Sequence, residues 1–320
     1  MDSELAQWVE MLQSPNVDDR LVAVKTLQLI GDEEILAPLL VAVQDESPLV
    51  QKLAVTTLWE LANPAAVPAL LECLASPVEE VRNEARSALS ELIVPDHLLL
   101  LLDALLRDDI NLQLNILFLL RKIHDAQCLP YVMPFFESPL PELREAAITT
   151  LRYLNQVERC QPALALMSDP DAAVRQTTAL TLGHLADPEV VPLLCQAVTD
   201  DPDWEVRRNA AKSLTTHANP DAIEALETAA IDDHWQVRKF SLQALQKIPA
   251  AHTLPLFIQA LTDEYSDVRR EGAIALNILN DPAALTPLQQ ALDDPDRDVC
   301  IFAQRAIQSI QHSLQETSNA

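Results

Sequence analysis

Hydrophobic and polar residues recur along this chain with a period of about 31 residues, a length typical of internal structural repeats. The clearest marker is the dipeptide Val-Arg. In some of the repeats a less similar dipeptide occupies the same position. With its second position as the anchor, the anchors are residues 20, 51, 82, 113, 144, 175, 207, 238, 269 and 300. The intervals between successive anchors are equal, except that the interval from 175 to 207 is one position longer, which indicates ten internal repeats.

Three columns of residues accompany the anchors and predict a helix around each of them. The column seven positions after the anchor is Leu in nine repeats and Ile in the tenth, and the column ten positions after it is Leu or Ile except at His217. The column three positions after the anchor is usually small: Ala23, Ala54, Ala85, Ala147, Thr178, Ala210, Ser241, Gly272 and Ala303. These offsets trace one face of an α-helix, and the small residues allow a neighbouring helix to approach closely.

A second helix is expected to fill the rest of each repeat, for example over residues 188–199 and 282–292. Asn-Pro or Asp-Pro opens several of these helices, because the side chain caps free N–H groups where proline needs none. Four such starts are Asn63-Pro64, Asp187-Pro188, Asn219-Pro220 and Asp281-Pro282. Acidic residues cluster at the helix starts, where the helix dipole favours negative charge.

A helix pair of this size cannot bury its apolar face alone, so the repeats are expected to stack into a continuous core. We therefore predict an all-α solenoid. The period has no linker within it, which favours a single domain over residues 1–313 with ten helix pairs. Residues 314–320 form a polar tail that we expect to be frayed.

Composition supports packed helices and narrows the possible functions. Apolar residues make up 49% of the 320 residues, aromatic residues only 4%, and there are three glycines, whereas a β-rich fold would need more aromatic and turn-forming residues. The formal net charge of −26 disfavours binding to nucleic acid or anionic lipid. Because the sequence has no apolar stretch of membrane-spanning length and no secretory signal, we predict a cytoplasmic protein.

Motifs that carry catalysis are sparse in this sequence. There is no Gly-rich phosphate loop, no nucleophile elbow and no useful Cys/His spacing. The five cysteines are scattered without a Cys-x-x-Cys pair, so we expect free thiols rather than disulfides or zinc ligands. We predict no catalytic residue, no metal and no cofactor.

Three segments carry a recognisable motif, namely DPDAAVRQTTALTLGHLADPEVVPLLCQAV (169–198), DPDWEVRRNAAKSL (201–214) and DEYSDVRREGAIAL (263–276). They resemble HEAT repeats, and among these the short HEAT-like repeat of phycobilisome-lyase-type proteins. The resemblance is strong over residues 160–311 and looser over residues 1–155, where only the periodicity and the leucine columns persist. It implies a right-handed superhelix of about ten HEAT-like repeats, in which the anchor helices line the concave surface.

The resemblance implies several functional classes. Relatives of this kind include adaptors, bilin lyases and other phycobilisome factors, a di-iron hydroxylase with His-Glu ligand pairs, and a DNA glycosylase with a basic concave face. None of the seven histidines here precedes a Glu, and the acidic charge opposes a glycosylase. The aromatic-rich segments that the resemblance implies for a lyase do not occur in the first repeats, which contain only Trp8 and Trp59.

A row of basic residues is the first candidate binding surface. Arg208, Lys239 and Arg270 directly follow the anchors of three successive repeats, and Lys212 lies one turn after Arg208. The anchor arginines themselves are expected to pair with turn acids such as Asp203, Asp233 and Asp267. This pairing explains the three extra bases less well, so their row could hold an acidic protein segment or ligand carboxylates.

Two tryptophans form the second candidate surface. Trp204 and Trp235 each lie three residues before an anchor, so we expect them to be neighbours along one edge, with Tyr265 close by. They either cover the helix starts or form an aromatic ledge beside the basic row, which is a common composition for a recognition site.

The fourth repeat is the third candidate surface. Its segments 96–106 and 110–123 are apolar around much of their circumference, and Leu114 and Phe118 occupy positions that are mainly polar in other repeats. A helix that is apolar on all sides must be covered. Either the solenoid itself buries this repeat or a partner or second subunit does so, and Trp59 on the same expected face would extend the patch.

These observations predict a non-catalytic scaffold that binds a protein partner, acidic or phycobiliprotein-like, on its concave face. The alternative is a phycobilisome-related bilin lyase or a lyase-like chaperone. Neither nucleic acid nor membrane insertion is expected, and the sequence leaves the oligomeric state open.

Overall fold

A computed structural model describes the backbone of residues 3–319 and the side chains of residues 5–316. Over this part of the chain the regular structure consists of α-helices and short 3-10 helices, without a β-strand. The α-helices are, in chain order, α1 (Ser3–Met11), α2 (Val17–Ile30), α3 (Leu36–Ala42), α4 (Pro48–Leu61), α5 (Val67–Cys73), α6 (Glu79–Leu92), α7 (Leu98–Leu105), α8 (Ile110–Ile123), α9 (Leu129–Val132), α10 (Pro141–Tyr153), α11 (Gln161–Leu164), α12 (Ala172–Leu182), α13 (Val190–Asp200), α14 (Trp204–His217), α15 (Ile223–Ala229), α16 (Trp235–Lys247), α17 (Leu254–Ala260), α18 (Ser266–Leu279), α19 (Leu285–Gln290) and α20 (Arg297–Asn319). The prediction of an all-α solenoid is confirmed.

The even-numbered helices are the predicted anchor helices, and each contains its anchor position. The column seven residues after the anchor is buried in every repeat. The small column is buried as well, and a Cβ atom on Gly272 would lie 2.9 Å from the Cβ atom of Ala260 and 3.0 Å from the carbonyl oxygen of Phe257. Because Cβ atoms do not normally approach so closely, glycine is what lets α18 pack against α17 at this distance.

The column ten residues after the anchor is less uniform than its sequence suggests. Most of its members are buried, but Ile30 in the first repeat is 42% exposed. Ile30 is the last residue of α2, and Gly31 ends the helix in the left-handed conformation directly after it.

The odd-numbered helices are mostly shorter than the sequence suggests. The helix expected over residues 282–292 is divided into a 3-10 turn at Pro282–Ala284, helix α19, and a second 3-10 turn at Ala291–Asp293. Asn63, Asn219 and Asp281 each cap a 3-10 turn, because the side chain accepts a hydrogen bond from the N–H group two residues later. Asp187 accepts the same bond from Glu189, but α13 begins only at Val190.

The helices group into two compact units, residues 1–156 and residues 157–320. The first unit contains the helix pairs from α1 to α10, and the second contains those from α11 to α20. The single domain over residues 1–313 stays a prediction. Helix α20 continues to Asn319, so residues 314–319 extend the last helix where the sequence suggests a frayed tail. Leu, Gln and Glu are good helix formers, which accounts for this continuation.

Pairs of arginine and aspartate tie five of the repeats to the repeat that follows within the same unit, and we call this series the Arg–Asp ladder. Arg238 donates from Nε and Nη2 to the two carboxylate oxygens of Asp263 at 2.7 and 2.8 Å, and from Nη1 to the carbonyl oxygen of Asp232 at 2.9 Å. The same arrangement recurs at Arg20–Asp45, Arg175–Asp201, Arg207–Asp232 and Arg269–Asp294. Two parallel bonds match the guanidinium fork to a carboxylate, which is the strongest geometry for such a pair.

The sequence correctly predicts that anchor arginines pair with acidic residues of the turns, but the acidic residues it suggests are the wrong ones. Asp203 caps α14, and Asp267 instead binds Lys239 and Arg270. Asp233 offers Arg238 its carbonyl oxygen and not its carboxylate. Each arginine of the ladder reaches forward to an acid in the turn of the following repeat, so its partner depends on how the repeats stack.

Candidate functional site

Four aromatic side chains from three successive repeats form a stack, which we call the aromatic ledge: Trp204, His234, Trp235 and Tyr265. The ring centroids of Trp204 and His234 lie 3.7 Å apart, with 22° between the ring planes. Those of Trp235 and Tyr265 lie 5.2 Å apart at 13°, and those of His234 and Trp235 lie 6.4 Å apart. The structure thus places Trp204, Trp235 and Tyr265 along one edge, with His234 between the two tryptophans.

The starts of three anchor helices position these rings. Trp204 and Trp235 are the first residues of α14 and α16, and Tyr265 is the N-cap residue of α18. The main-chain N–H group of His234 donates to the Asp232 carboxylate at 2.7 Å, and that of Tyr265 donates to Asp263 at 2.9 Å. Because these two aspartates belong to the Arg–Asp ladder, the ladder also fixes the turns from which the rings project.

Sequence reasoning missed His234, although a signal was present. It lies four residues before its anchor, as Tyr265 does in the next repeat, so an alignment of that column would have found it. Its side chain is half-buried, and its Nδ1 atom has no hydrogen-bond partner among the described residues. Burial is the main cause that lowers the pKa of His234; Asp232 opposes this effect, and nearby arginines add to it.

The lowered pKa of His234 predicts a loss of stability in mild acid. Below pH ~6.5 an unfolded histidine binds a proton, whereas the folded ring resists protonation, so a falling pH favours the unfolded chain. We expect His234→Gln to reduce the drop in unfolding free energy between pH ~7 and ~5.5. Urea unfolding at both pH values measures this drop, and His252→Gln, at an exposed histidine, is the control. An unchanged drop in the His234 variant would contradict the prediction.

The basic row lies beside the aromatic ledge. The guanidinium carbon of Arg208 is 5.0 Å from the ring centroid of Trp204, and Nζ of Lys239 is 5.8 Å from that of Trp235. Cations at such distances from an indole face are attracted by the ring. The first and second predicted surfaces are therefore one surface, contributed by the first turns of α14, α16 and α18.

Acidic side chains of the same unit pair with the three extra bases. Lys239 and Arg270 both contact the same carboxylate oxygen of Asp267 at 2.8 Å. Hydrogen bonding from Lys239 is the main cause that lowers the pKa of Asp267. Arg208 lies 3.4 Å from Glu205. Arg208, Lys239 and Arg270, for which the sequence suggests no obvious partner, thus form ion pairs within the protein. The exposed side chain of Lys212, by contrast, has no partner in the described part of the chain.

The third predicted surface belongs to residues 1–156. Leu114 and Phe118 on α8 are half-buried, as is Trp59 on α4, which donates from Nε1 to Glu91 at 2.8 Å. The rest of α8 is well covered by its own unit, since it buries Leu112, Ile116, Leu117, Leu119, Leu120 and Ile123. Apolar exposure in this repeat lies instead at Leu99, Leu100, Leu106 and Ile110. Most of α8 is therefore covered within its unit, whereas α7 and the turn after it expose apolar side chains.

Phe118 has arginine neighbours that sequence reasoning missed. The guanidinium carbons of Arg86 and Arg121 lie 5.3 and 5.6 Å from the centroid of the Phe118 ring. In the next repeat, the guanidinium carbon of Arg152 lies 5.2 Å from the ring centroid of Tyr153. The sequence shows only that none of these arginines has an acidic residue three or four positions away within its own helix, and this does not identify the ring that each one contacts.

Groups with catalytic potential make structural contacts. His217 places Nε2 3.0 Å from the carbonyl oxygen of Leu182. The five cysteines are free, and burial raises the pKa of the Cys73 and Cys128 thiols to about 11, which keeps both protonated. Within the described residues, no group of three His, Cys, Asp or Glu side chains could hold a metal ion. In the same part of the chain, no helix has the length and apolar character needed to cross a membrane.

Comparisons with known proteins bear first on the fold. The crystal structure of an engineered protein from the Northeast Structural Genomics Consortium is similar to this chain, with a TM-score of 0.56 and 19% sequence identity. The alignment covers 97% of this chain and 99% of that one. At this identity the likeness shows the fold alone. A comparison with curated proteins gives no match.

The comparison with protein families is more specific. The family model for HEAT repeats matches residues 5–90, 160–246 and 230–310. These matches include the N-terminal repeats, in which only the periodicity and the leucine columns persist. They leave out residues 91–159, which contain the unusual fourth repeat. The finer resemblance to phycobilisome-lyase-type repeats stays a prediction. Because the matched residues make up most of the sequence, the chain belongs to the family of HEAT-repeat proteins.

Proposed function

We propose that this HEAT-repeat protein is a non-catalytic scaffold that binds a protein partner through the aromatic ledge. Stacked helical repeats offer extended surfaces of the kind that protein partners bind. The observation that carries the proposal is the stack of four rings across three repeats. The scaffold does not require this stack, since the corresponding positions three and four residues before the other anchors are not aromatic.

The chemistry of the ledge suits a protein interface. Trp and Tyr contribute large apolar areas with a polar group, and they are enriched among the residues that dominate binding energy. Tyr265 is 41% exposed, and Trp204 and Trp235 are half-buried. Because helix starts and stacking already hold the rings in place, little side-chain entropy would be lost when a partner binds.

The charges around the ledge indicate the kind of partner. Arg208 with Glu205, and Lys239 and Arg270 with Asp267, form a polar rim of both signs, to which Lys212 adds an unpaired positive charge. A partner with an apolar or aromatic centre and a mixed or acidic rim would complement this surface. In the orientation that the HEAT resemblance implies, the anchor helices that carry this surface line the concave face.

Removing two rings of the ledge tests the proposal. We expect the double variant Trp235→Ala/Tyr265→Ala to weaken binding at least ~10-fold, because truncation of central aromatic residues typically costs ~2 kcal/mol or more. The wild-type protein first captures partners from an extract of the native host. The dissociation constant of each captured protein is then measured by calorimetry with the purified wild type and variant.

Tyr131→Ala is the matched control, since Tyr131 is 39% exposed against 41% for Tyr265 and lies in the other compact unit. It should bind as the wild type does. Circular dichroism establishes that both variants are folded. Unchanged affinity of the folded double variant would rule out the ledge as the binding surface.

A further inference from the structure

Three arginines of residues 1–156, which we call the arginine cluster, make only neutral contacts: Arg86, Arg121 and Arg152. Arg86 donates to the side-chain oxygen of Asn83 at 3.3 Å, and Arg152 lies 3.4 Å from the Tyr153 hydroxyl. Arg121 donates to the carbonyl oxygen of Ala146 at 3.5 Å. None of the three forms an ion pair with a carboxylate of the described residues.

Lack of an acidic partner is unexpected in this protein. The chain has 48 acidic residues against 22 basic ones, so acidic side chains outnumber basic ones by more than two to one. Even Arg107, with an exposed side chain in the same unit, binds Glu72 at 2.7 Å. Arg20 binds both Asp45 and Glu46. The cluster is therefore a local region whose positive charge the fold does not compensate by direct pairing.

The cluster also has an apolar component. The guanidinium carbons of Arg86 and Arg121 both face the Phe118 ring, at 5.3 and 5.6 Å from its centroid. The Nε atom of Arg121 is buried and has no hydrogen-bond partner in the described part of the chain. Burial is the largest cause that lowers the pKa of Arg121, and the charge of Arg152 lowers it further, while Tyr153 and Glu145 oppose this shift only in part. An anion bound here would offset both the burial of the Arg121 guanidinium group and its repulsion from Arg152.

We propose that the arginine cluster and Phe118 bind an acidic segment of a protein partner, with carboxylates on the guanidinium groups and an apolar side chain against the ring. This inference rests on the proposed function, because it gives the scaffold a second contact surface. Arginine binds carboxylates in a planar, two-bond geometry, and its weak hydration suits a partly buried site.

The overall charge favours a short peptide segment over nucleic acid. A long polyanion would extend beyond the cluster along a chain whose formal net charge is −26, whereas a segment with a few carboxylates meets mainly the three guanidinium groups. Screening at physiological ionic strength limits the repulsion from acids farther away than about 8 Å. The cluster therefore acts on groups that lie directly against it.

A defined peptide tests this proposal without knowledge of the natural partner. The probe is a fluorescein-labelled octapeptide of alternating Glu and Leu, titrated with the full-length protein while fluorescence anisotropy is recorded. We expect saturable binding that weakens as salt is added, and at least ten-fold weaker binding for Arg86→Gln and for Arg121→Gln. Arg107→Gln is the matched control, because it removes an arginine of the same unit outside the cluster, and it should bind as the wild type does.

Three results would overturn the proposal: wild-type affinity in the folded cluster variants, equal binding of an octapeptide of alternating Gln and Leu, or tighter binding of an octathymidine. If Arg121→Gln fails to fold, Arg86→Gln and Arg152→Gln decide the question, because neither Arg86 nor Arg152 has a buried nitrogen atom that lacks a hydrogen-bond partner. The ledge variant Trp235→Ala/Tyr265→Ala should bind the Glu-Leu peptide normally. The proposal for the arginine cluster and the proposal for the aromatic ledge are therefore tested with different variants and different ligands, so that either one can fail without the other.

Discussion

The variant Arg238→Ala is expected to lose about 3 kcal/mol of unfolding free energy. The substitution removes the cationic partner of Asp263, whose side chain is 12% exposed, and the donor to the carbonyl oxygen of Asp232. Removal of one member of a buried pair leaves an uncompensated charge and typically costs about 3–5 kcal/mol. Partial exposure of this pair places the expected loss at the lower end of that range.

Urea unfolding followed by circular dichroism measures the loss. Arg208→Ala is the matched control, because Arg208 lies next to an anchor, has a 24% exposed side chain and makes a 3.4 Å contact with Glu205. It should cost less than about 1 kcal/mol, as surface ion pairs generally do. Similar losses in the two variants would show that the Arg–Asp ladder adds no more stability than an ordinary surface pair.

The second large effect is expected from Leu120→Ala, which should cost about 3–4 kcal/mol. Leu120 lies seven residues after its anchor on α8 and is completely buried. Truncation removes three buried carbon atoms and leaves a cavity that stacked neighbours on both sides cannot readily fill. The unfolding free energy from urea titration again provides the measurement.

Leu99→Ala provides the comparison within the same repeat. Leu99 is 76% exposed on α7, so its truncation should change the unfolding free energy by less than about 0.5 kcal/mol. Equal costs at Leu99 and Leu120 would mean that the leucine column does not form the core of the fourth repeat. Such a result would also undermine the register on which the ten repeats are aligned.

The sequence predicts the anchor helices well because their signal is local. A helix that packs on one side must place apolar residues at fixed offsets, and the leucine seven residues after each anchor meets that demand in nine repeats, with isoleucine in the tenth. Ile30 follows the same pattern but is 42% exposed. Sequence offsets define a face, and the neighbouring repeats determine whether that face is covered.

The candidate surfaces were predicted less completely for the same reason. The rings of Trp204, Trp235 and Tyr265 recur at equivalent positions, so their alignment along one edge could be inferred. The partners of Lys239 and Arg270 could not, because Asp267 reaches Lys239 only through the stacking of α16 on α18. The contact of Arg86 with Phe118 likewise joins two repeats, and no spacing within one helix indicates it.

The Arg–Asp ladder has a consequence for how a chain of this kind can change in length. Arg207 and Arg238 each bind an aspartate 25 residues further on, while the two arginines themselves occupy equivalent positions in successive repeats. A duplicate of residues 208–238 inserted after Arg238 would therefore give every arginine an aspartate at the correct distance. Whole repeats can therefore be gained or lost without leaving a buried charge unpaired. An insertion of any other size between an arginine and its aspartate would break a pair.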